Sequence, residues 1–317
     1  MLSHQIIYIV FSVVVVAALF IDMVLLSRKN QIIDMKKAML QTIFWVALAV
    51  TFFIFLWLEE SKTVALEYIS AYLMEWSLSV DNIFVFIILF SAFKVKEVHY
   101  GRVLLIGILM AIVFRIAFIT IGVALVEKAE WLLYIFGAFL IYTGYKMFFA
   151  NEEEEFKPKD SKVFKLLQKF LPITLEDING KYIVKRNGRP LYTVLFVVVA
   201  MLAVTDLVFA VDSIPAVMGI SRDKMVIYTS NIFAVLGLRS LFFLLRGAVS
   251  KFDYLQQGIA IVLIFIGLKM LLEHFISPYI SKSVMTFISL GMILVCISTS
   301  IVYSIYHNKK GLPRDVE

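Results

Sequence analysis

Long apolar stretches separated by short polar loops dominate this sequence. Each holds about 20 residues or more, which as an α-helix is enough to span a hydrocarbon core of ~30 Å. We identify nine of them, at 6–26, 38–58, 65–92, 103–126, 131–149, 191–217, 225–247, 255–273 and 284–306. The pattern predicts an all-α polytopic membrane protein, a bundle of about nine transmembrane helices.

The composition agrees with a membrane location and removes several classes of function. Hydrophobic residues make up 61% of the chain and charged residues 17%, against roughly 45–50% and 25% in globular proteins. A single cysteine, Cys296, excludes an internal disulfide or a multi-cysteine metal site, and no histidine lies near the middle of an apolar stretch. The net charge of +6 comes from basic residues in loops, so it indicates membrane orientation rather than nucleic-acid binding.

Lysine and arginine residues are concentrated in alternate loops, which predicts the orientation of the chain. Basic residues follow the first, third, seventh and ninth stretches, whereas the intervening short loops are poorer in them. The positive-inside rule then places the N-terminus outside and the C-terminus inside. On the inner face lies one long polar segment, 151–190, which we interpret as a solvated linker with a short hairpin around Asn187 and Gly188. A partner-binding loop is the alternative.

The two halves of the chain resemble each other. Residues 75–83 align with 206–214 at an offset of 131, and in both a second acid follows the first by six residues. Further matches downstream are Arg115 with Arg239 and Gly144 with Gly267. Each unit contains three apolar stretches, an odd number, so the second unit enters the membrane from the opposite side. The sequence therefore predicts an inverted repeat of two three-helix units.

The repeat also defines the predicted organisation of the chain. Residues 65–150 form the first three-helix unit and 191–274 the second, joined by the 151–190 linker. The first two helices, within 1–64, are additions at the periphery. The last helix and a cytoplasmic tail, within 275–317, are another.

Acids inside the apolar stretches are the strongest functional signal. A carboxylate at the centre of a transmembrane helix costs about 2.5–3.5 kcal/mol on insertion scales, so Asp81 and Asp212 need compensating partners. Together with nearby polar side chains they make an all-oxygen ligand set, which suits hard cations such as Mn²⁺, Ca²⁺ or Mg²⁺. The set comprises Glu75, Ser79, Asp81, Asn82, Thr205, Asp206, Asp212 and Ser213.

Helix geometry limits how these acids meet. Residues six apart lie roughly 120° from one another around an ideal helix, so we expect local unwinding between the acids, with Pro215 favouring the break. An alternative is that the acids pair with Arg115 and Arg239 as buried ion pairs that hold the helices together. Asn231, a polar side chain at membrane depth, is a further candidate for lining the pathway.

Four segments carry a family resemblance: 75–86 (EWSLSVDNIFVF), 205–217 (TDLVFAVDSIPAV), 229–239 (TSNIFAVLGLR) and 254–272 (YLQQGIAIVLIFIGLKMLL). With them the chain resembles the TerC family of integral membrane proteins, named for tellurium resistance, and most closely its Alx-type members. The resemblance implies a bacterial inner-membrane protein from a superfamily of exporters, with members linked to Mn²⁺ efflux. It also implies a metal site at Glu75, Asp81, Asn82, Asp206, Asp212 and Ser213. Two departures are Trp76, where lysine is frequent, and Ala203, where many members have glutamate.

The sequence thus predicts a secondary transporter rather than an enzyme. It would export a divalent cation, Mn²⁺ in preference to Ca²⁺, by alternating access around the intramembrane carboxylates, with proton antiport as an energy source. Its expected partners are the lipid bilayer and the cation, with no nucleic acid and no resident cofactor. Two rivals are an intramembrane aspartyl protease, whose Gly-x-Gly-Asp motif is absent, and a scaffold that contacts other membrane or secreted proteins through the 151–190 loop.

Overall fold

Each of the nine predicted stretches contains a helix within the described residues. The computed structural model describes residues 4–21, 34–129, 131–149, 161–186, 188–246, 254–276 and 278–310, without the side chains of 4, 5, 80, 81, 84, 212, 255, 273, 274, 282, 283 and 307–310, among them Asp81 and Asp212. In these residues the elements are α1 (His4–Ile21), α2 (Met35–Glu59), α3 (Lys62–Ala92), α4 (Glu97–Lys128), α5 (Leu132–Phe148), α6 (Lys162–Phe170), β1 (Ile183–Arg186), β2 (Arg189–Tyr192), α7 (Val194–Ile220), α8 (Lys224–Leu245), α9 (Leu255–Ile276) and α10 (Lys282–Lys310).

Within the described residues, five helices are long and apolar enough to cross a membrane. They are α2, α4, α7, α8 and the Val284–Tyr306 part of α10. Shorter apolar helices lie within α1, α5 and α9. Helix α3 has 31 residues but carries the acids Glu67, Glu75 and Asp81, which lower its hydropathy. The predicted helical membrane architecture is confirmed, whereas the number of nine crossings stays a prediction.

Side-chain caps define where several helices begin. The first N–H groups of a helix have no partner inside it, so a preceding serine or aspartate stabilises the end by accepting from them. Ser61 Oγ accepts from the Val64 amide at 3.2 Å before α3. Asp223 Oδ1 accepts from the Met225 amide at 2.8 Å before α8. These caps separate α3 from α2 and α8 from α7 by only a few residues.

Helix α8 lies at the centre of the bundle. Almost all of its side chains are buried, and α2, α3 and α4 pack against it. The Phe233 ring lies 5.2 Å from that of Phe11 on α1 and 5.4 Å from that of Phe52 on α2, measured between centroids. These aromatic contacts attach the first two helices to the core.

Helices α3 and α7 continue without a break past the acids, so the predicted unwinding is wrong. Pro215 lies inside α7 and does not end it. An unwound segment in hydrocarbon exposes backbone groups at a cost of several kcal/mol each, whereas groups freed by a proline can be satisfied by neighbouring helices. In α3, Ser77 Oγ donates to the Leu73 carbonyl at 2.6 Å, a bond that an intact helix accommodates.

Helices α5 and α9 approach each other closely at glycines. A Cβ atom added to Gly144 would lie 2.7 Å from the Ala260 carbonyl oxygen. One added to Gly267 would lie 2.6 Å from the Gly137 carbonyl oxygen. Gly144, late in α5, thus contacts the early part of α9, whereas Gly137, early in α5, contacts Gly267, late in α9. The two helices therefore run antiparallel.

We expect Gly144→Ala and Gly267→Ala to destabilise the protein to similar extents, by about 1–3 kcal/mol each, because the new methyl group overlaps backbone atoms. Thermal unfolding of the purified protein in detergent measures this. Gly291→Ala is the matched control, since a Cβ there meets nothing within 4 Å, and removing a helical glycine without a clash favours the helix. Equal unfolding temperatures for all three variants would contradict the close packing.

The segment between α6 and α7 contains the predicted hairpin. Strands β1 and β2 pair antiparallel with Arg186 opposite Arg189, so the prediction is confirmed, although Asn187 itself lies outside the described residues. Helix α6 is an addition to the predicted linker. Its nine residues alternate apolar and basic positions, too few and too polar to register as an apolar stretch.

Asp177 connects this segment to the start of α4 through ion pairs. Its carboxylate lies 2.9 Å from Lys96 Nζ and 3.3 Å from His99 Nε2, and it accepts from the Gly180 amide at 3.0 Å. Burial acts to raise the pKa of Asp177, but Lys96, the Gly180 amide and His99 outweigh it, so the pKa lies below its usual value. The ion pair is therefore present at neutral pH. It is lost only as the pH falls from the unfolded-state pKa of about 4 through the lower folded pKa.

Asp177→Asn is expected to loosen the segment at neutral pH. Trypsin should then cleave after Lys181 and Lys185 about fivefold faster, the effect of ~1 kcal/mol in local opening. Glu176→Gln removes the neighbouring exposed carboxylate and serves as the control. If both variants are cleaved at the wild-type rate, Asp177 does not hold this segment.

Candidate functional site

A buried cluster of polar side chains lies where four helices meet. It consists of Glu75 on α3, Arg115 on α4, Asp206 on α7 and Asn231 on α8, and we name it the Arg115 cluster. Each of these residues has a relative exposure of 0–1%. Two of the helices belong to each predicted repeat unit, so the cluster lies between the two units.

Arg115 binds the other three members of the cluster. Its Nε and Nη2 atoms donate to Asp206 Oδ2 and Oδ1 at 2.8 and 3.0 Å, a bidentate pair. Its Nη1 atom donates to Asn231 Oδ1 at 2.9 Å and to Glu75 Oε1. The ion pairing that the sequence offered as an alternative is thus present for Glu75 and Asp206.

The charges of the Arg115 cluster do not balance when both acids are ionised. One guanidinium then faces two carboxylates, and Asn231 adds no charge. The Asn231 Nδ2 atom donates to the Ile227 carbonyl at 3.2 Å, which directs its oxygen to Arg115. A net negative charge in a low-dielectric interior is costly and favours the binding of a proton or a cation nearby.

Three buried oxygen atoms at this depth have no hydrogen-bond partner among the described residues. They are Glu75 Oε2, Ser79 Oγ and Ser213 Oγ. The Ser213 hydroxyl group lies close to the Glu75 carboxyl group. In sequence, Ser79 comes two residues before Asp81, and Ser213 follows Asp212 directly. Unsatisfied buried oxygens are rare in proteins, so these three atoms make this region the candidate functional site.

A small cavity adjoins the Arg115 cluster. Its volume is ≈ 10 Å³, about the space of one water-sized sphere, and it is bordered by α3, α4, α7 and α8. Asp206 is the charged residue of its lining, and the other lining residues, such as Leu202 and Leu238, are apolar or glycine. The helices around the cluster are therefore tightly closed.

The other predicted site residues lie on the same helices. Asn82 and Arg239 are buried, with relative exposures of 3% and 4%, and Thr205 is partly buried. The side chains of Asp81 and Asp212 lie outside the described part of the chain, so their role as principal ligands stays a prediction. Among the described side chains, no group of three or more acids, histidines or cysteines is placed to hold a metal ion. The carboxylates of Glu75 and Asp206 are instead bonded to Arg115.

Glu67 is a buried acid that the sequence analysis missed. It lies two turns before Glu75 on α3 with a relative exposure of 0%, and it accepts a hydrogen bond from Ser221 Oγ. Ser221 Oγ in turn accepts from the Asp223 amide at 3.1 Å, at the connection between α7 and α8. In the sequence, Glu67 lies near the start of a predicted helix. An acid at that position resembles a residue at the membrane interface, so the sequence did not indicate that it is buried.

Comparison with known proteins identifies the family. Residues 60–312 match the family described as "Integral membrane protein TerC family". This chain belongs to the TerC family. The TerC match contains α3 to α10 and therefore every residue of the Arg115 cluster. The resemblance inferred from the sequence is confirmed, and the protein is an integral membrane protein.

Curated relatives in the TerC family cover most of this chain. The membrane protein STKORF319 of Myxococcus xanthus is 39% identical over 292 residues, covering 92% of this chain and 90% of that protein. Alx of Escherichia coli (strain K12) is 40% identical over 274 residues, covering 84% and 85%. Alx of Salmonella typhi is 39% identical over 307 residues, covering 94% and 93%. The name of Alx describes it as a candidate membrane-bound redox modulator. No solved structure matches this chain.

Proposed function

We propose that this TerC family member is a secondary transporter that exports a divalent cation, with Mn²⁺ as the favoured substrate. One observation carries the proposal: the buried oxygens of Glu75, Ser79 and Ser213 have no hydrogen-bond partner among the described side chains, which do not include those of Asp81 and Asp212. Carboxylate and hydroxyl oxygens are ligands of hard cations, and a dehydrated cation needs several of them at once. Asp81 and Asp212 supply the principal charges in this proposal, with Asn82, Glu75 and Asp206 completing the set.

Arg115 has a specific role in this mechanism. It holds Glu75 and Asp206 at bonding distance, while the second Glu75 oxygen makes no bond to Arg115. A cation that enters beside Arg115 competes for these carboxylates, and Arg115 binds them again when the ion leaves. Protons bound by the acids replace the cation charge in the same way, so proton antiport fits the chemistry of crowded carboxylates.

The packing of α5 and α9 supports an inverted repeat of two three-helix units. Equivalent positions in these helices differ by 123: Gly144 lies against Ile264, and Gly267 lies against Ile141. When a two-fold axis in the membrane plane relates two helices, the helices run antiparallel and each contact occurs twice, with the equivalent positions exchanged. The packing of α3 on α8 and of α4 on α7 is exchanged in the same manner.

Alternating access follows from this symmetry and from the closed packing. The cavity beside the Arg115 cluster, at ≈ 10 Å³, leaves little room for an ion, so in our proposal a cation reaches the site when the two units move against each other. In our proposal nine helices cross the bacterial inner membrane, with the N-terminus outside and the C-terminus inside. Export then runs from the face that carries the α6 segment to the opposite face.

A redox role, which the name of Alx describes for that protein, finds less support in these residues. The sequence contains one cysteine, Cys296, so a thiol–disulfide reaction within the chain lacks a second thiol. Cation transport is the function that the buried oxygens favour.

The test is cation flux in proteoliposomes that contain the purified protein. We expect saturable Mn²⁺ movement, faster when an opposing proton gradient is imposed and competed by an excess of Ca²⁺ more than of Mg²⁺, which sheds its water reluctantly. Liposomes without protein and liposomes with heat-inactivated protein are the controls. Absence of flux under every gradient, with the protein monodisperse and folded, would refute transport.

A further inference from the structure

Helix α6 packs one face on the protein and exposes the rest. Phe164 is buried, and its ring centroid lies 5.4 Å from that of Phe93, just beyond the end of α3. Val163 and Leu167 are partly buried against the same core. These contacts fix the rotation of α6 about its axis, so the directions of its other side chains follow from helical geometry.

Three lysines occupy the face of α6 opposite to the packed one. Lys162, Lys165 and Lys169 are three and four residues apart, so they lie on one side of the helix. All three are exposed, and none forms an ion pair with an acid among the described residues. This face of α6 therefore carries three exposed positive charges.

An exposed apolar stripe lies between the packed face and the lysines. Leu166 and Phe170, one turn apart, have relative exposures of 57% and 71%. The opposite flank of the helix carries Gln168, which is also exposed. One flank of α6 is thus apolar and the other polar, as in a helix that lies in the membrane plane with one flank toward lipid and one toward water.

We propose that α6 is an interfacial helix that binds anionic phospholipid. Lys162, Lys165 and Lys169 would contact the phosphate groups, while Leu166 and Phe170 enter the acyl region. The location agrees with this, because α6 packs on α7 and beside the end of α3, where both apolar helices reach their polar connections. Each lysine near an anionic surface strengthens local association about fivefold. The proposal is independent of cation transport.

The first measurement locates the two flanks of α6 in the full-length protein. Cys296 is the single native cysteine, so Cys296→Ser with Leu166→Cys, or with Gln168→Cys, gives two proteins with one reactive thiol each. Each is labelled with an environment-sensitive fluorophore and reconstituted in nanodiscs. We expect a nitroxide on the lipid acyl chain to quench the probe at position 166 and aqueous iodide to quench the probe at position 168.

The second measurement tests the choice of lipid. Nitroxide-labelled phosphatidylglycerol is compared with nitroxide-labelled phosphatidylcholine at equal mole fraction, with the probe at position 166. We expect the anionic lipid to quench more strongly at low salt and the excess to shrink with added salt. Replacing Lys162, Lys165 and Lys169 with glutamine should abolish the excess, while the buried Phe164 face and the elution profile of the protein stay unchanged.

Three results would overturn the proposal. Equal iodide quenching at positions 166 and 168, without lipid quenching, would place the apolar stripe in water. Protection of position 166 from both quenchers would mean that protein covers it, either a partner or a second copy of the chain. Equal quenching by the two lipids would remove the recognition of anionic headgroups.

Discussion

Replacing Arg115 with glutamine is expected to lower the free energy of unfolding by about 3–5 kcal/mol, because it leaves two buried carboxylates without their countercharge. Glu75 and Asp206 are 0–1% exposed, and Arg115 is the cation that bonds to both. Thermal or denaturant unfolding of the purified protein in detergent measures the loss. Reduced yield of monodisperse protein should accompany it.

A second arginine provides the matched control. Arg246 Nη2 lies 2.6 Å from Glu97 Oε1, but both side chains are substantially exposed, at 32% and 49%. Exposed pairs contribute about 0–1 kcal/mol, so Arg246→Gln should leave stability nearly unchanged. Neutralising the acids as well, in the triple variant Arg115→Gln, Glu75→Gln and Asp206→Asn, should restore most of the loss. If Arg115→Gln unfolds like Arg246→Gln, the cluster does not stabilise the fold.

The helices of this protein could be predicted from sequence because the membrane imposes a simple rule. A segment in hydrocarbon must satisfy its own backbone hydrogen bonds, so apolar stretches of about 20 residues become helices almost regardless of detail. The hairpin was equally predictable from Asn187 and Gly188, since Gly188 has a φ of 77°, which glycine adopts without strain. Helix α6 escaped notice because its stability comes from Phe164 packing on Phe93, a contact between distant parts of the chain.

The expected unwinding of α3 and α7 failed for an instructive reason. The sequence argument required both acids of one helix to face one cavity, and only a break could achieve this. In the structure the first acid of each repeated motif, Glu75 or Asp206, binds Arg115, which removes that requirement. Pro215, which favours a break by its chemistry, lies inside the continuous helix α7, and in α3 Ser77 bonds within its own helix.

The Arg115 cluster was predictable in its members but not in its arrangement. Intramembrane acids, arginines and an amide are exceptional enough in an apolar chain to be singled out from sequence. Which arginine binds which acid depends on distances between α3, α4, α7 and α8, and those distances are set by packing that no local pattern encodes. Glu67 was overlooked for the related reason that its burial depends on the connection between α7 and α8 at Ser221.

Asp81→Asn and Asp212→Asn are each expected to lower Mn²⁺ flux by about a hundredfold or more, since even the loss of an outer-shell partner of a metal ligand costs 10–100-fold in affinity or activity. Removing a carboxylate from the middle of a transmembrane helix also lowers its insertion cost, so both variants should remain in the membrane and stay folded. Proteoliposome flux at matched protein content measures the effect. Asp81→Glu, which keeps the charge, should retain part of the wild-type flux.

Glu127→Gln is the matched control for this loss of flux, because Glu127 is 56% exposed and pairs with Lys224 at the surface. Its flux should equal that of the wild type. Three patterns of result separate the possible roles of the acids. Loss of flux in the aspartate variants alone supports a cation site at the repeat acids. Wild-type flux in both would mean that the carboxylates of Asp81 and Asp212 do not bind the ion. Loss of folded protein instead of flux would make them structural partners of buried cations such as Arg239, in the way that Glu75 and Asp206 are partners of Arg115.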